Sequence, residues 1–167
     1  MNVRFLWRLE RRTLVSRFVL PVTQPPPGAR RVLLVDDEPI VRDSVRRLLA
    51  FDGYVVEPVA SGPEALAALQ NSSFDLVITD YEMPGMKGDQ LAAAIKAILP
   101  QQPVLMISAY GEQLRSPMNP LSAVDIIVTK PFQIDELRQA ISILIVKLIS
   151  VPGTQPGQDR PPAHLRS

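Results

Sequence analysis

Two groups of side chains in this 167-residue sequence are suited to chemistry. The first is Asp36-Asp37-Glu38, which ends the apolar run in "RVLLVDDEP". Three acids in a row repel one another, and each resists ionising beside its charged neighbours. The second group is scattered along the chain. Asp80 ends "DLVITD", Ser108 ends "PVLMIS" and Lys130 ends "VDIIVTK". If these groups meet, they make a set of carboxylates, a hydroxyl and an ammonium. Oxygen donors without Cys or His suit Mg²⁺ or Mn²⁺, and such a cation would relieve the repulsion. Lys130 would add a second compensating charge.

Their meeting depends on the elements that carry them. "RVLLVD", "YVVEPV", "DLVITD", "PVLMIS" and "VDIIVTK" are short, rich in Val and Ile, and nearly continuous in apolar character. Strands covered on both faces have that pattern. Helical segments alternate with them. In "PIVRDSVRRLLAF", Val41, Val45 and Leu48 share a face, with Arg42 and Arg46 off it. "SGPEALAALQ" opens with Ser61 and Glu64 at capping-box spacing. "GDQLAAAIKAIL" is expected to bury Leu91, Ile95 and Ile98, and "QIDELRQAISILIVKLI" closes the unit. Strands alternating with helices imply an α/β fold, an open parallel sheet with right-handed crossovers. Ligands of such sheets bind beyond the carboxyl ends of the strands. Every chemically capable residue above stands at such an end. Taken singly, an acidic run there is more often a helix N-terminus and a "KP" a turn. It is their common rim that argues for a site.

Composition bounds the rest. No Cys is present, so disulfides and thiolate metal sites are excluded. No apolar run approaches the roughly 20 residues that span a bilayer, and "FVLPV" is too short for a signal-peptide core. The net charge of +1 hides an asymmetry. Residues 1–31 carry seven Arg against Glu10, a net of +6. Residues 32–150 carry nine bases against fifteen acids, a net of −6. Direct nucleic-acid binding by the acidic core is therefore not expected. Residues 1–30 read as a disordered basic arm ending in the "PPPG" linker, residues 31–150 as the folded domain, and residues 151–167 as a Pro-rich disordered tail. As a helix, the arm would cluster Val3, Leu6, Trp7, Leu14 and Phe18, a membrane-surface or partner helix that Phe5 and Leu9 spoil.

From about residue 31 to 150 the chain resembles the receiver domain of two-component response regulators. The motifs that carry the resemblance are "LLVDDEP", "DLVITDYEMPGMKG", "MISAYG" and "VTKPF", in the family's order and spacing. The resemblance implies a doubly wound, five-stranded parallel sheet of flavodoxin-like topology, strand order 2-1-3-4-5. It implies that Asp80 accepts a phosphoryl group from a sensor histidine kinase or a histidine phosphotransfer protein. By the same resemblance Asp36, Asp37, Asp80 and the backbone carbonyl of Glu82 would hold Mg²⁺ (or Mn²⁺). Lys130 would pair with a phosphoryl oxygen and Ser108 would hydrogen-bond another. It further implies a cis Lys130–Pro131 peptide, a cytoplasmic location and a downstream protein target. Glu38 reads instead as the cap of the first helix.

Two departures bear on signalling. Where the family usually carries Tyr or Phe, three residues before Lys130, this chain has Ile127. Pro117 and Pro120 fall where a fourth helix should run over 110–121, and predict a short or broken one. In the last helix Leu137, Ile141, Leu144 and Leu148 form a core stripe. Ile143, Val146 and Ile149 lie opposite, a patch for a partner or a second copy. The competing function is a pseudo-receiver, an interaction scaffold that is not phosphorylated. A haloacid dehalogenase-type phosphatase also uses Asp on a parallel sheet, but places it in a DxD motif after the first strand, which "DDE" does not match.

Overall fold

The computed structural model describes residues 28–114 and 121–149. The five apolar runs form strands β1 (Arg31–Val35), β2 (Val55–Val59), β3 (Leu76–Asp80), β4 (Val104–Ser108) and β5 (Ile126–Thr129). Between and after them run helices α1 (Pro39–Phe51), α2 (Gly62–Asn71), α3 (Gly88–Ile98), α4 (Gly111–Leu114) and α5 (Ile134–Ile149). The strands make one parallel sheet in the order β2-β1-β3-β4-β5, as expected.

Alternation along each strand divides the core into two layers. Val32 and Leu34 of β1 join Leu76, Ile78, Leu105 and Val128 on one face, under α1 and α5. Leu33 and Val35 join Val77 and Val104 on the other, under α2 and α3. All five residues of β3 and all five of β4 are buried, including the polar Thr79, Asp80 and Ser108 at their carboxyl ends. Each fully buried Leu or Ile there contributes about 1.5–3 kcal/mol.

The edge strands differ from expectation. β2 is only half-buried, with Pro58 exposed. Proline cannot donate to a strand ladder, so an edge position accommodates it. In α3, Leu91 and Ile95 are buried but Ile98 is 57% exposed. It is the last residue of the helix, so no further turn extends the buried face past it.

Local signals act largely as the residues dictate. Pro39 sits in the first turn of α1, where a missing N–H is harmless. Ser61 caps α2 by accepting the Glu64 N–H at 3.4 Å, but the Glu64 carboxylate reaches back to the Ala60 N–H (3.0 Å) rather than to that of Ser61. That backbone bond holds the Glu64 carboxyl below its ordinary pKa. Helix α4 is one turn long over the described residues; Pro117 and Pro120 lie outside them. In α5, Leu137, Ile141 and Leu144 are buried, whereas Ile143 and Val146 are 53% and 55% exposed. The side chains of Leu148 and Ile149 lie outside the described ones. Arg30 and Arg31, counted with the basic front, are tied to the fold. Arg30 pairs with Asp75 at 2.8 Å, and Arg31 with Glu57 at 3.1 Å. Residues 1–27 and 150–167 are outside the described residues. Among those described, no helix is long and apolar enough to cross a membrane.

Candidate functional site

Strand register brings the chemically capable residues together. Val35 lies opposite Thr79, so the next residues, Asp36 just past β1 and Asp80 at the end of β3, stand side by side. Asp80 lies opposite Ile107, which puts Ser108 one step farther along the neighbouring strand. Ser108 lies opposite Thr129, and the Lys130 N–H donates to the Ser108 carbonyl at 2.8 Å. A carboxylate pair, a hydroxyl and an ammonium thus share one rim, as their strand-end positions predict.

Both aspartates are held in the same way. Asp36 Oδ1 accepts the N–H of Glu38 at 2.8 Å, and Asp80 Oδ2 accepts the N–H of Glu82 at 2.7 Å. An Asp side chain that bonds the amide two residues on closes a small turn of its own. The turn fixes one carboxylate oxygen in each case. The other oxygen of Asp80, Oδ1, receives the Lys130 ammonium at 2.6 Å. Glu38 occupies the N-cap position of α1, but its side chain makes no capping bond; what it contributes to the turn is its amide.

The electrostatics follow from crowding. Burial pushes the Asp36 carboxyl up to about 6, and the charges of Asp80 and Asp37 push the same way. The Glu38 N–H and the Lys130 charge oppose them without winning. For Lys130, burial pulls the ammonium down. The hydrogen bond and charge of Asp80, with Asp36 and Glu38 behind it, outweigh burial and hold it above its ordinary value. Asp37 is half-buried and Glu82 exposed. Among the described residues, no three carboxylate or imidazole side chains stand close enough to form a ready-made metal cage.

Glycines keep the rim tight. A Cβ on Gly88 would stand 2.2 Å from the Asp80 carbonyl oxygen. One on Gly111 would stand 2.0 Å from Thr129 Oγ1. The Lys130–Pro131 peptide is cis.

A family model described as the response regulator receiver domain matches residues 32–142. The chain belongs to that family. Receiver domains of two-component systems are signalling modules, and the sheet order here is theirs. Among curated relatives, the gliding motility regulatory protein of Myxococcus xanthus is 41% identical over 98 residues, covering 57% of this chain and 13% of that protein. The transcriptional regulatory protein TcrA of Mycobacterium tuberculosis is 35% identical over 107 residues, covering 64% of this chain and 42% of that protein. The chain therefore matches less than half the length of either relative. Among solved structures, the response regulator TrrA of Thermotoga maritima in complex with Mg²⁺–BeF aligns with a TM-score of 0.64 and 35% identity, over 69% of this chain and 98% of that one. The same regulator in complex with the histidine kinase ThkA gives a TM-score of 0.63 at 35% identity, over 70% and 98% of the two chains.

Two features of this receiver domain's rim carried no signal in sequence. Arg42, one turn into α1, donates from Nη1 to the Asp36 carbonyl, which fixes the start of the acidic turn. Tyr81 and Tyr110 meet edge to face, their ring centroids 6.5 Å apart at 69°. Nothing in their 29-residue separation marks them as a pair; they meet because β3 and β4 are neighbours. Ile127 is half-buried and lines a groove of about 410 Å³ between β5 and α5, with Val128, Glu136, Ala140 and Ile143.

Proposed function

We propose that this domain accepts a phosphoryl group on Asp80 from a phosphohistidine and signals by protein contact. The observation that carries the reading is the 2.6 Å approach of Lys130 to Asp80 on a rim shared with Asp36 and Ser108. An Asp80 carboxylate oxygen attacks phosphorus in line. The oxygen–phosphorus bond forms as the phosphorus–nitrogen bond to the donor imidazole breaks, and the imidazole leaves as the neutral base after taking up a proton. Such transfers depend mainly on positioning and on cations beside the equatorial oxygens. Lys130 is already within reach, and its ammonium moves from Asp80 Oδ1 onto a phosphoryl oxygen. Ser108, buried beside the nucleophile, donates its hydroxyl proton to another.

The residues present fit a hard divalent cation. All donors are oxygen, and the raised Asp36 carboxyl marks a place where added positive charge is favourable. Asp36, Asp37 and Asp80 with the Glu82 carbonyl would hold Mg²⁺, or Mn²⁺ in its place. Mg²⁺ keeps several waters and takes one or two carboxylates, so a prebuilt cage is not needed. When bound, it supplies charge that neutralises the transferring group.

The donor is a sensor histidine kinase or a histidine phosphotransfer protein, a reading supported by the kinase complex of the TrrA relative. The setting is cytoplasmic, and residues 1–30 and 151–167 flank the domain as arm and tail. Exposed Ile143 and Val146 on α5 offer a contact for a second copy, which light scattering with and without phosphorylation tests. The main test is intact mass after incubation with Mg²⁺ and a small phosphodonor. The parent protein is expected to gain one phosphoryl group and Asp80→Asn none. A parent protein that never gains mass, under conditions where hydrolysis is slow, would establish the pseudo-receiver reading instead.

A further inference from the structure

The Tyr81–Tyr110 contact lies where the phosphoryl chemistry would be felt. Ser108 is 1% exposed, and its Oγ accepts the Tyr110 N–H at 3.0 Å. A serine hydroxyl offers two lone pairs and one proton. That bond occupies a lone pair and leaves the proton uncommitted by it. The position of the hydroxyl is therefore set by the position of the Tyr110 amide.

Three contacts in turn set that amide. The Tyr110 carbonyl accepts the Leu114 N–H at 3.0 Å, at the start of α4. Gly111 presses against Thr129 with no room for a side chain. Tyr110, 44% exposed, meets the Tyr81 ring edge to face. The backbone of Tyr81 is tied on both sides. Its N–H donates to the Ile107 carbonyl and its own carbonyl accepts the Gly88 N–H, both at 2.9 Å. The Lys87 ammonium stands 5.3 Å from its ring centroid. Tyr81 also directly follows Asp80. One ring therefore belongs to the residue directly after the nucleophile and the other to the residue whose amide holds Ser108.

We infer that Tyr81 and Tyr110 act together as a positioning pair, which holds the Ser108 hydroxyl in register with the phosphoryl group on Asp80 and moves when that group arrives. The inference rests on the phosphoacceptor reading of Asp80. It places the aromatic contact of this rim on its β3–β4 side, whereas β5 carries Ile127.

The test uses the full chain. It has three tyrosines, Tyr54, Tyr81 and Tyr110, so ring-¹³C-labelled tyrosine gives a spectrum that single Tyr→Phe variants assign. Adding Mg²⁺ and beryllofluoride is expected to move the Tyr81 and Tyr110 ring signals and leave Tyr54 in place. In Ser108→Ala the Tyr110 displacement is expected to disappear. Kinetically, Tyr81→Leu and Tyr110→Leu are each expected to slow phosphorylation by a small phosphodonor roughly 2- to 10-fold, the worth of an aromatic pair. The double variant should be no slower than the worse single one. Tyr→Phe at either position keeps the ring and should restore the rate. Affinity for Mg²⁺ alone should not change, because the pair acts on the hydroxyl and not on the acids. Static Tyr81 and Tyr110 signals in a protein that binds beryllofluoride would overturn the inference, and so would fully additive rate losses. A protein that neither gains phosphate nor binds beryllofluoride overturns the inference and the phosphoacceptor reading together. If a Leu variant fails to fold, the spectra of the parent and of Ser108→Ala decide alone.

Discussion

Replacing Asp36 with Asn should make the metal-free protein more stable at pH 8. The carboxyl is 5% exposed and titrates in the folded protein at about 6, against an ordinary value of 3.8. Its folded pKa is raised, so between about pH 4 and pH 6 the folded state holds a proton that the unfolded state has released. Stability then falls as pH rises through that window, and above it the folded state carries the whole penalty. About two pKa units correspond to roughly 3 kcal/mol at most. Asn removes the charge while its side-chain carbonyl can still accept the Glu38 N–H. A gain of about 1–3 kcal/mol is therefore expected, since repacking returns only part of the penalty. Urea unfolding followed by circular dichroism in EDTA, at steps from pH 4 to pH 8, measures it. The parent and Asp36→Asn curves should converge near pH 4 and separate by pH 7. A variant less stable than the parent at pH 8, or a gap that does not close toward pH 4, would refute the assignment of the strain to this carboxylate.

Lys130→Met leaves Asp80 facing Asp36 without its ammonium. It should cost about 1–3 kcal/mol in urea unfolding at pH 7, below the full cost of breaking a buried pair because the lysine side chain is 31% exposed. Added Mg²⁺ should restore part of that loss. Gly88→Ala puts a Cβ against the Asp80 carbonyl, which is backbone and cannot swing aside. A loss of about 1–3 kcal/mol and slower phosphorylation by intact-mass time course are expected. Leu105→Ala, at a fully buried position of β4, should cost about 2–5 kcal/mol while leaving Mg²⁺ affinity, read by thermal shift, unchanged.

The sheet was legible because burial on both faces forces a sequence to be apolar without alternation, and β1, β3 and β4 obey that rule. The rim was legible for a related reason. A polar residue directly after such a run has left the sheet at the end where neighbouring parallel strands also end. Pro58 already marked β2 as an edge strand, a signal that its Val residues masked. Ile98 was misplaced because helical periodicity does not say where the helix stops. Glu38 takes the N-cap position that its acid type suggested, but without a side-chain capping bond. The two-residue spacing from Asp36 lets the aspartate take the amide first, and Asp80 repeats the arrangement with Glu82. The Tyr81–Tyr110 contact and the Arg42 bond to the Asp36 carbonyl needed strand register and side-chain direction, which residue types do not encode.

The cost carried by Asp36 and the affinity proposed for a cation are one free energy seen from two sides. Keeping that carboxyl ionised in a buried place, beside Asp80 and Asp37, destabilises the folded protein, and a divalent ion that binds only the folded state offsets part of the penalty. Roughly 3 kcal/mol corresponds to about 100-fold in binding. Asp36→Asn should therefore lose Mg²⁺ affinity, by up to about that factor, as it gains stability, the two effects coming from the same carboxylate. The fold tolerates the strain because it is confined to the turn after β1, while β3 and β4 beside it are buried throughout and anchor the rim. A substitution that stabilised the protein without weakening Mg²⁺ binding would have to act away from Asp36, Asp37 and Asp80. Isothermal titration of Asp36→Asn beside the parent, at pH 8, tests that coupling directly.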